Sequence, residues 1–230
     1  MRLHTELAAA PARSTALLVL LPPALANIDD FYTHGFVDAV RQRRLPWDLL
    51  LADTSGQQVL DKTVVSALHD QVMLPAQSSG YRSIWLAGIS LGAFSALLYA
   101  AEHADQTTSC LDGVCLLSPY PGTNDVLAEI RTAGGVIPWS QRHPSRDDER
   151  NWWHWLARQG TSAEWRVPVY FGTGANDRFL RGQTLLSDLL PQNHICVLPG
   201  THDWATWKAL WENWLDNGPM HRLHKHAHIQ

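Results

Sequence analysis

Short apolar runs alternate along the chain with stretches whose apolar residues recur three or four apart. Ser14–Leu21, apolar from Ala16 onward, is a run of the kind that forms a buried strand. Asn27 can cap the helix that follows, with Asp30 in a box-like spacing, and Ile28, Phe31, Phe36 and Val40 recur at helical intervals. Trp47–Ala52 predicts a second strand. Thr63–Leu74 predicts a helix carrying Val64, Val65, Leu68 and Val72 and stopped by Pro75. Ser83–Ala87 predicts a third strand and Leu91–His103 a helix that buries Phe94, Leu97, Leu98 and Ala101. Leu111–Leu117, Arg166–Phe171 and His194–Leu198 complete six strands, and Arg181–Leu190 and Trp204–Leu215 supply the last two helices.

Strands spaced by helices pair in parallel through crossovers. Strands that are apolar throughout need cover on both faces. The pattern therefore predicts an α/β fold with a doubly wound, mostly parallel six-stranded sheet and ligands at the carboxyl ends of its strands. Residues 119–165 are too many for a simple connection. They carry helical patterns at Asp125–Thr132 and Asp147–Arg158, joined by Gly134-Gly135 and Pro138. This stretch reads as a short helical insertion before the fifth strand, over the sheet's edge. One domain over residues 1–218 and a flexible His-rich tail at 219–230 follow. The tail histidines His221, His224, His226 and His228 lack a carboxylate cluster, so disorder is expected there rather than a metal site.

Composition narrows this picture without naming a reaction. Hydrophobic residues make up 45% of 230 and charged residues 17%, enough for one full core. Lys plus Arg is 18 and Asp plus Glu is 22, a net charge of −4, so the basic surplus of a nucleic-acid binder is missing. No apolar run approaches the roughly 20 residues of a membrane span. Three cysteines (Cys110, Cys115 and Cys196) with no C-x-x-C pair argue against a disulfide framework or zinc knuckle. Arg2, the apolar run and Ala24-Leu25-Ala26 have the outline of a secretory leader. Cutting after Ala26, however, would remove a strand that the sheet needs, and unpaired cysteines suit a reducing compartment. A cytoplasmic protein is expected. With no phosphate loop, dinucleotide fingerprint or metal-ligand spacing, no cofactor and no metal are expected.

The chemistry is carried by Gly88-Ile89-Ser90-Leu91-Gly92, between a predicted strand and a predicted helix. A serine there is forced into a sharp turn. The glycines clear space on both sides, and the helix amino terminus favours negative charge near the hydroxyl. The bland alternative is that Ser90 merely caps the helix. Serine is a weak nucleophile at neutral pH and needs a base. This topology orders the partners as nucleophile, acid, histidine. His202, in Pro199-Gly200-Thr201-His202, follows the sixth strand. His4, His34 and His69 precede the serine, His103 ends a helix, His143 and His154 lie in the insertion, and His194 begins a strand. Asp177, in the loop after the fifth strand, stands 25 residues before His202. Its bland role is to cap the next helix. Asp203 adjoins His202 too closely in sequence to meet it easily, and Asp188 lies inside a helix.

These residues resemble the α/β-hydrolase superfamily over Ser14 to Leu215, most specifically at Gly88–Gly92, Gly172–Asp177 and Gly200–His202. Gly200-Thr201-His202-Asp203-Trp204, with Trp207, is similar to the ending of carboxylesterase-type members. The resemblance implies a compact version lacking the superfamily's first two strands. By position it implies an oxyanion hole formed by the backbone N–H groups of Leu91 and Ala24, with Leu25 as the fallback for the second. The usual His-Gly after the first strand is here Pro22-Pro23-Ala24, and proline has no backbone donor.

Nine of the eleven tryptophans lie between Trp139 and Trp214. Trp204, Trp207, Trp211 and Trp214 fall at helical spacing and predict core packing. Adjacent Trp152 and Trp153 are not expected to face inward together from one helix. At least one is expected to bind substrate at the mouth of the site, where superfamily members often place a lid. The function expected is a serine hydrolase that cleaves a small carboxylic ester or thioester through an acyl-enzyme. An acyltransferase or peptidase using Ser90, Asp177 and His202 is the alternative within the fold, and a non-catalytic binding module is the alternative outside enzymology. The partner expected is a small-molecule acyl substrate, with no nucleic acid and no membrane span; the oligomeric state stays open.

Overall fold

A computed structural model describes residues 1–8, 14–106, 109–144, 148–162 and 165–218. The tail predicted at 219–230 and the predicted helix start at Asp147 lie outside these residues. Seven strands form one sheet: β1 (Leu3–Glu6), β2 (Ala16–Leu21), β3 (Asp48–Ala52), β4 (Ser83–Ile89), β5 (Leu111–Leu117), β6 (Val169–Gly174) and β7 (Ile195–Leu198). Their order is β1-β3-β2-β4-β5-β6-β7. Every neighbouring pair is parallel except β1, which runs antiparallel to β3.

The six-strand expectation is one short, and the expected loss of both leading strands is corrected to a single antiparallel edge strand. The reason is local. β1 is Leu-His-Thr-Glu, largely exposed, with no apolar run to mark it. An edge strand needs only one row of ladder bonds and little burial.

The strands alternate their side chains between two cores, as the period of two requires. Leu17, Val19 and Leu21 of β2 join Leu86 and Leu116 on one face. Leu18 and Leu20 join Trp85 and Leu117 on the other. That second face is covered by α1 (Ile28–Thr33), α2 (Phe36–Gln42) and α11 (Trp204–Asn217). The first is covered by α4 (Val64–Leu68), α5 (Leu74–Ser78), α6 (Leu91–His103), α7 (Asn124–Thr132), α8 (Val136–Arg142), α9 (Arg150–Gly160) and α10 (Leu180–Ser187). A short helix, α3 (Gly56–Leu60), sits in the connection after β3.

Three helical predictions change in detail. The first predicted helix is two, broken at Gly35, whose φ of 71° lies in the left-handed region. Its start is as expected, with Asn27 and Asp30 forming a reciprocal capping box. The helix predicted to stop at Pro75 continues. It widens into a π-helical turn at His69–Met73 and resumes as α5, which places Pro75 in a first turn where a missing N–H costs little. The insertion holds three helices, because Pro138 falls in the first turn of α8 instead of in a linker. α9 lies against α6 and α8 and shares their core. No helix among the described residues is long and apolar enough to cross a membrane.

Candidate active site

β4 ends at Ile89 and α6 begins at Leu91, so Ser90 alone turns the chain. Its φ of 51° and ψ of −108° lie where a residue with a side chain is strained. Neighbouring backbone holds it there. The Ser90 N–H donates to the Leu117 carbonyl at 2.9 Å, and the Phe94 and Tyr120 N–H groups each donate to the Ser90 carbonyl at 3.1 Å. The flanking glycines are needed for close approach. A Cβ at Gly88 would stand 2.4 Å from the Gly92 carbonyl, and one at Gly92 would stand 2.3 Å from the Leu21 carbonyl oxygen. Gly88 thus lets strand and helix meet, and Gly92 lets the end of β2 lie against the first turn of α6. The Ser90 side chain does not cap α6, which removes the bland reading of the motif.

Asp177 and His202 come to this serine from the turns after β6 and β7. The Asp177 carboxylate lies 2.8 Å from His202 Nδ1, and His202 Nε2 lies 3.0 Å from Ser90 Oγ. An ionised carboxylate only accepts hydrogen bonds, so Nδ1 carries the proton and Nε2 is left to accept from the serine hydroxyl. The Asp177 side chain has no exposed surface. Burial pushes its pKa up, but hydrogen bonds from His202 and the Phe179 N–H more than offset this and hold the carboxyl below its ordinary 3.8. Asp177 also has the bland role: its second oxygen accepts from the Phe179 N–H at 2.8 Å. Asp203 serves α11 instead, accepting from the Thr206 N–H at 2.8 Å and from the Thr201 hydroxyl.

Sequence reasoning missed several neighbours. Phe179 and Trp207 each stand perpendicular to the His202 ring, with centroids 5.0 Å away. Closeness in sequence to Asp177 is the only signal that marks Phe179, whereas Trp207 is expected as core packing and as part of the carboxylesterase-type ending. Ser118, at the end of β5, has a φ of 45°, is fully buried, and anchors its N–H on the Gly172 carbonyl at 2.7 Å. Its hydroxyl faces Asp177 outside hydrogen-bond geometry.

Of the expected oxyanion donors, Leu91 opens α6 directly after the elbow, and Ala24 and Leu25 lie in the loop after β2. Pro22-Pro23 leads into a turn in which the Ala26 N–H donates to the Pro23 carbonyl at 3.3 Å. Leu25 has a φ of 65° there and is fully exposed. The contact between Gly92 and the Leu21 and Pro22 carbonyls brings this segment to the start of α6, where Leu91 N–H is among the donors with no intrahelical acceptor.

The substrate-binding expectation for Trp152 and Trp153 is corrected. Both are 0% exposed, and their rings stack on each other at 4.1 Å. α9 is enclosed on two sides: Trp152 meets Phe94 of α6, while His154 meets Trp139 of α8. Adjacent side chains of one helix are both buried because neighbours stand on both flanks.

The Esterase family model matches residues 57–213, more than half of the chain. The chain belongs to the esterase family. It is a hydrolase, and its esterase-type matched region contains Ser90, Asp177 and His202. No curated protein matches its sequence. Among solved structures it is similar to Est1E from Butyrivibrio proteoclasticus, with 14% identity, 96% of this chain and 93% of that one covered, and a TM-score of 0.64. It is also similar to FphF, a fluorophosphonate-binding serine hydrolase of Staphylococcus aureus, with 12% identity, coverage of 93% and 90%, and a TM-score of 0.63. An S-formylglutathione hydrolase of Staphylococcus aureus aligns with 13% identity, coverage of 87% and 79%, and a TM-score of 0.57. At these identities the likeness establishes the α/β-hydrolase fold.

Proposed function

We propose that this esterase cleaves small carboxylic esters or thioesters through an acyl-enzyme formed on Ser90. The unbroken line from the Asp177 carboxylate through His202 to Ser90 Oγ carries this reading. Ser90 Oγ attacks the acyl carbon as His202 Nε2 takes its proton. The tetrahedral intermediate collapses, the acyl–oxygen or acyl–sulfur bond breaks, and His202 returns the proton to the leaving alcohol or thiol. Water, deprotonated by the same nitrogen, then attacks the acyl-enzyme and releases the acid and free Ser90. Asp177 holds the imidazole in the required tautomer and stabilises its positive charge. Backbone N–H groups of Leu91 and Ala24 are assigned to the oxyanion, each such donor contributing about 3 kcal/mol; Leu25 is the second candidate for the Ala24 position. Residues 1–218 act as one domain in this reading, with the insertion at 119–165 inside it.

An alkyl fluorophosphonate tests the nucleophile. Wild type should gain one covalent adduct on the peptide containing Ser90, and Ser90→Ala should gain none. An adduct on another residue, or none on wild type, would remove the reading.

A further inference from the structure

Ser118 combines two features that an ordinary turn residue lacks. Its φ of 45° lies in the left-handed region, where a side chain is strained and glycine is favoured. Its hydroxyl is buried and has no hydrogen-bond partner among the described residues. An alanine or glycine here would avoid the cost of that unpaired hydroxyl, and a glycine would avoid both costs. Two such costs on one residue call for a reason.

The backbone around Ser118 is held from both sides. Before it, the Leu117 carbonyl accepts from the Ser90 N–H at 2.9 Å. Its own N–H donates to the Gly172 carbonyl at 2.7 Å, and two residues on, the Tyr120 N–H donates to the Ser90 carbonyl at 3.1 Å. Between these, the Pro119 carbonyl accepts from Gln183 Nε2 at 3.0 Å, and Gln183 Oε1 accepts from the Thr173 hydroxyl at 2.6 Å. Gln183 and Thr173 are fully buried, so this link between β5, β6 and α10 is shielded from water. The strained residue is thus fixed by the elbow that carries Ser90 on one side and by the strand that leads to Asp177 on the other.

The Ser118 hydroxyl faces Asp177. That carboxylate has no exposed surface. It accepts from His202 Nδ1 at 2.8 Å and from the Phe179 N–H at 2.8 Å, which fills two of about four acceptor positions. It has room for another donor and is closed to bulk water. Other titratable groups nearby are turned elsewhere. Arg178 lies over the Phe179 ring at 4.8 Å, the Tyr120 ring stands edge-on to Phe179 at 5.4 Å, and Asp203 accepts from Thr201 and from the Thr206 N–H.

We infer that Ser118 is a positioning residue for the acid: its hydroxyl donates to the Asp177 carboxylate during turnover and keeps it ionised and aimed at His202 Nδ1. This inference rests on the acyl-enzyme reading above. Ser118 acts through Asp177 and makes no bond to the acyl group.

The test is a mutant cycle on p-nitrophenyl acetate. Ser118→Ala should lower kcat/KM about tenfold, as one hydrogen bond to a buried charge is worth. In an Asp177→Asn background the same substitution should cost less than twofold, because the charge it serves is gone. Ser118→Gly should lose as much activity as Ser118→Ala, although it relaxes the left-handed backbone and should be at least as stable as wild type. In both variants the acid limb of the kcat/KM profile should move to higher pH by about half a unit, since a carboxylate with one donor fewer holds the imidazole proton more tightly. A merely structural role would lower activity by the same factor in both backgrounds and leave the limb in place; either result would overturn the assignment. If Ser118→Ala does not fold, Ser118→Gly carries the same cycle. An Asp177→Asn protein that turns over at the wild-type rate would instead overturn the reading of Asp177, His202 and Ser90 as one unit, so the two failures are distinct.

Discussion

The segment Gly88–Gly92 and the helix α9 both pack on α6, one at its start and one along its side, and they are built on opposite principles. At the elbow backbone geometry sets the pattern: two glycine positions where a Cβ would collide with carbonyls, and between them a strained serine held by three backbone hydrogen bonds. In α9 the backbone is ordinary helix, and identity matters only through volume. Trp152, Trp153 and Trp155 are each 0% exposed. The indole nitrogens of these three find no hydrogen-bond acceptor among the described residues. The elbow concentrates strain where it presents one hydroxyl. α9 contributes bulk that holds the face of α6 in place, and accepts unpaired N–H groups as part of that packing.

Substitutions around the elbow's serine and in α9 should therefore separate rate from stability. Apart from loss of the nucleophile itself, the largest effect expected is on rate. Asp177→Asn keeps the shape of the site but favours the wrong imidazole tautomer, and should lower kcat/KM on an activated ester roughly 10⁴-fold, about 5.5 kcal/mol. Its melting temperature should move far less than that figure suggests. A Tm collapse that accounts for the lost activity would blur the distinction. Next in size, Trp153→Ala should cost about 3–5 kcal/mol of unfolding free energy by denaturant titration. The folded fraction should still turn over a short ester at close to the wild-type rate. Trp153→Phe should recover most of that stability, because the indole N–H has no partner among the described residues to lose. A specific loss on long-chain esters without destabilisation would return Trp153 to the binding site. The smallest effect is expected from Asp203→Ala, beside the histidine in sequence but turned to the helix. It removes the cap of α11 and should cost about 1 kcal/mol in stability while most activity remains. A dead Asp203→Ala that folds normally would reassign the acid.

The same contrast explains what could be read from the sequence. Gly88, Ser90 and Gly92 are legible because their constraint is local: the strand–turn–helix pattern and the residue types state the backbone geometry together. Asp177 and His202 are legible at one remove, because a parallel sheet brings the loops after its strands to one edge. β4, β5 and α6 stand out by periodicity, and β5 and α6 are found to the residue. β1 is invisible because an exposed edge strand needs no apolar pattern. The continuation past Pro75 is hidden because a π-helical turn, which no periodicity announces, resets the hydrogen-bond register. The expectation that at least one of Trp152 and Trp153 lies at the mouth fails because it takes a helix to have one buried side. α9 is enclosed from two, and only the tertiary arrangement reveals that. Phe179 and Ser118 were missed for a related reason. Their placement beside His202 and Asp177 depends on how three loop ends meet, not on any motif.

The central claim is that Ser90 is a nucleophile whose hydroxyl is activated through His202. The most direct measurement is kcat/KM of Ser90→Ala on p-nitrophenyl acetate, with folding verified by circular dichroism. The account predicts a loss on the order of 10⁶-fold, as in comparable triads, with an unchanged spectrum. A folded Ser90→Ala protein that keeps more than a few per cent of wild-type activity would contradict it.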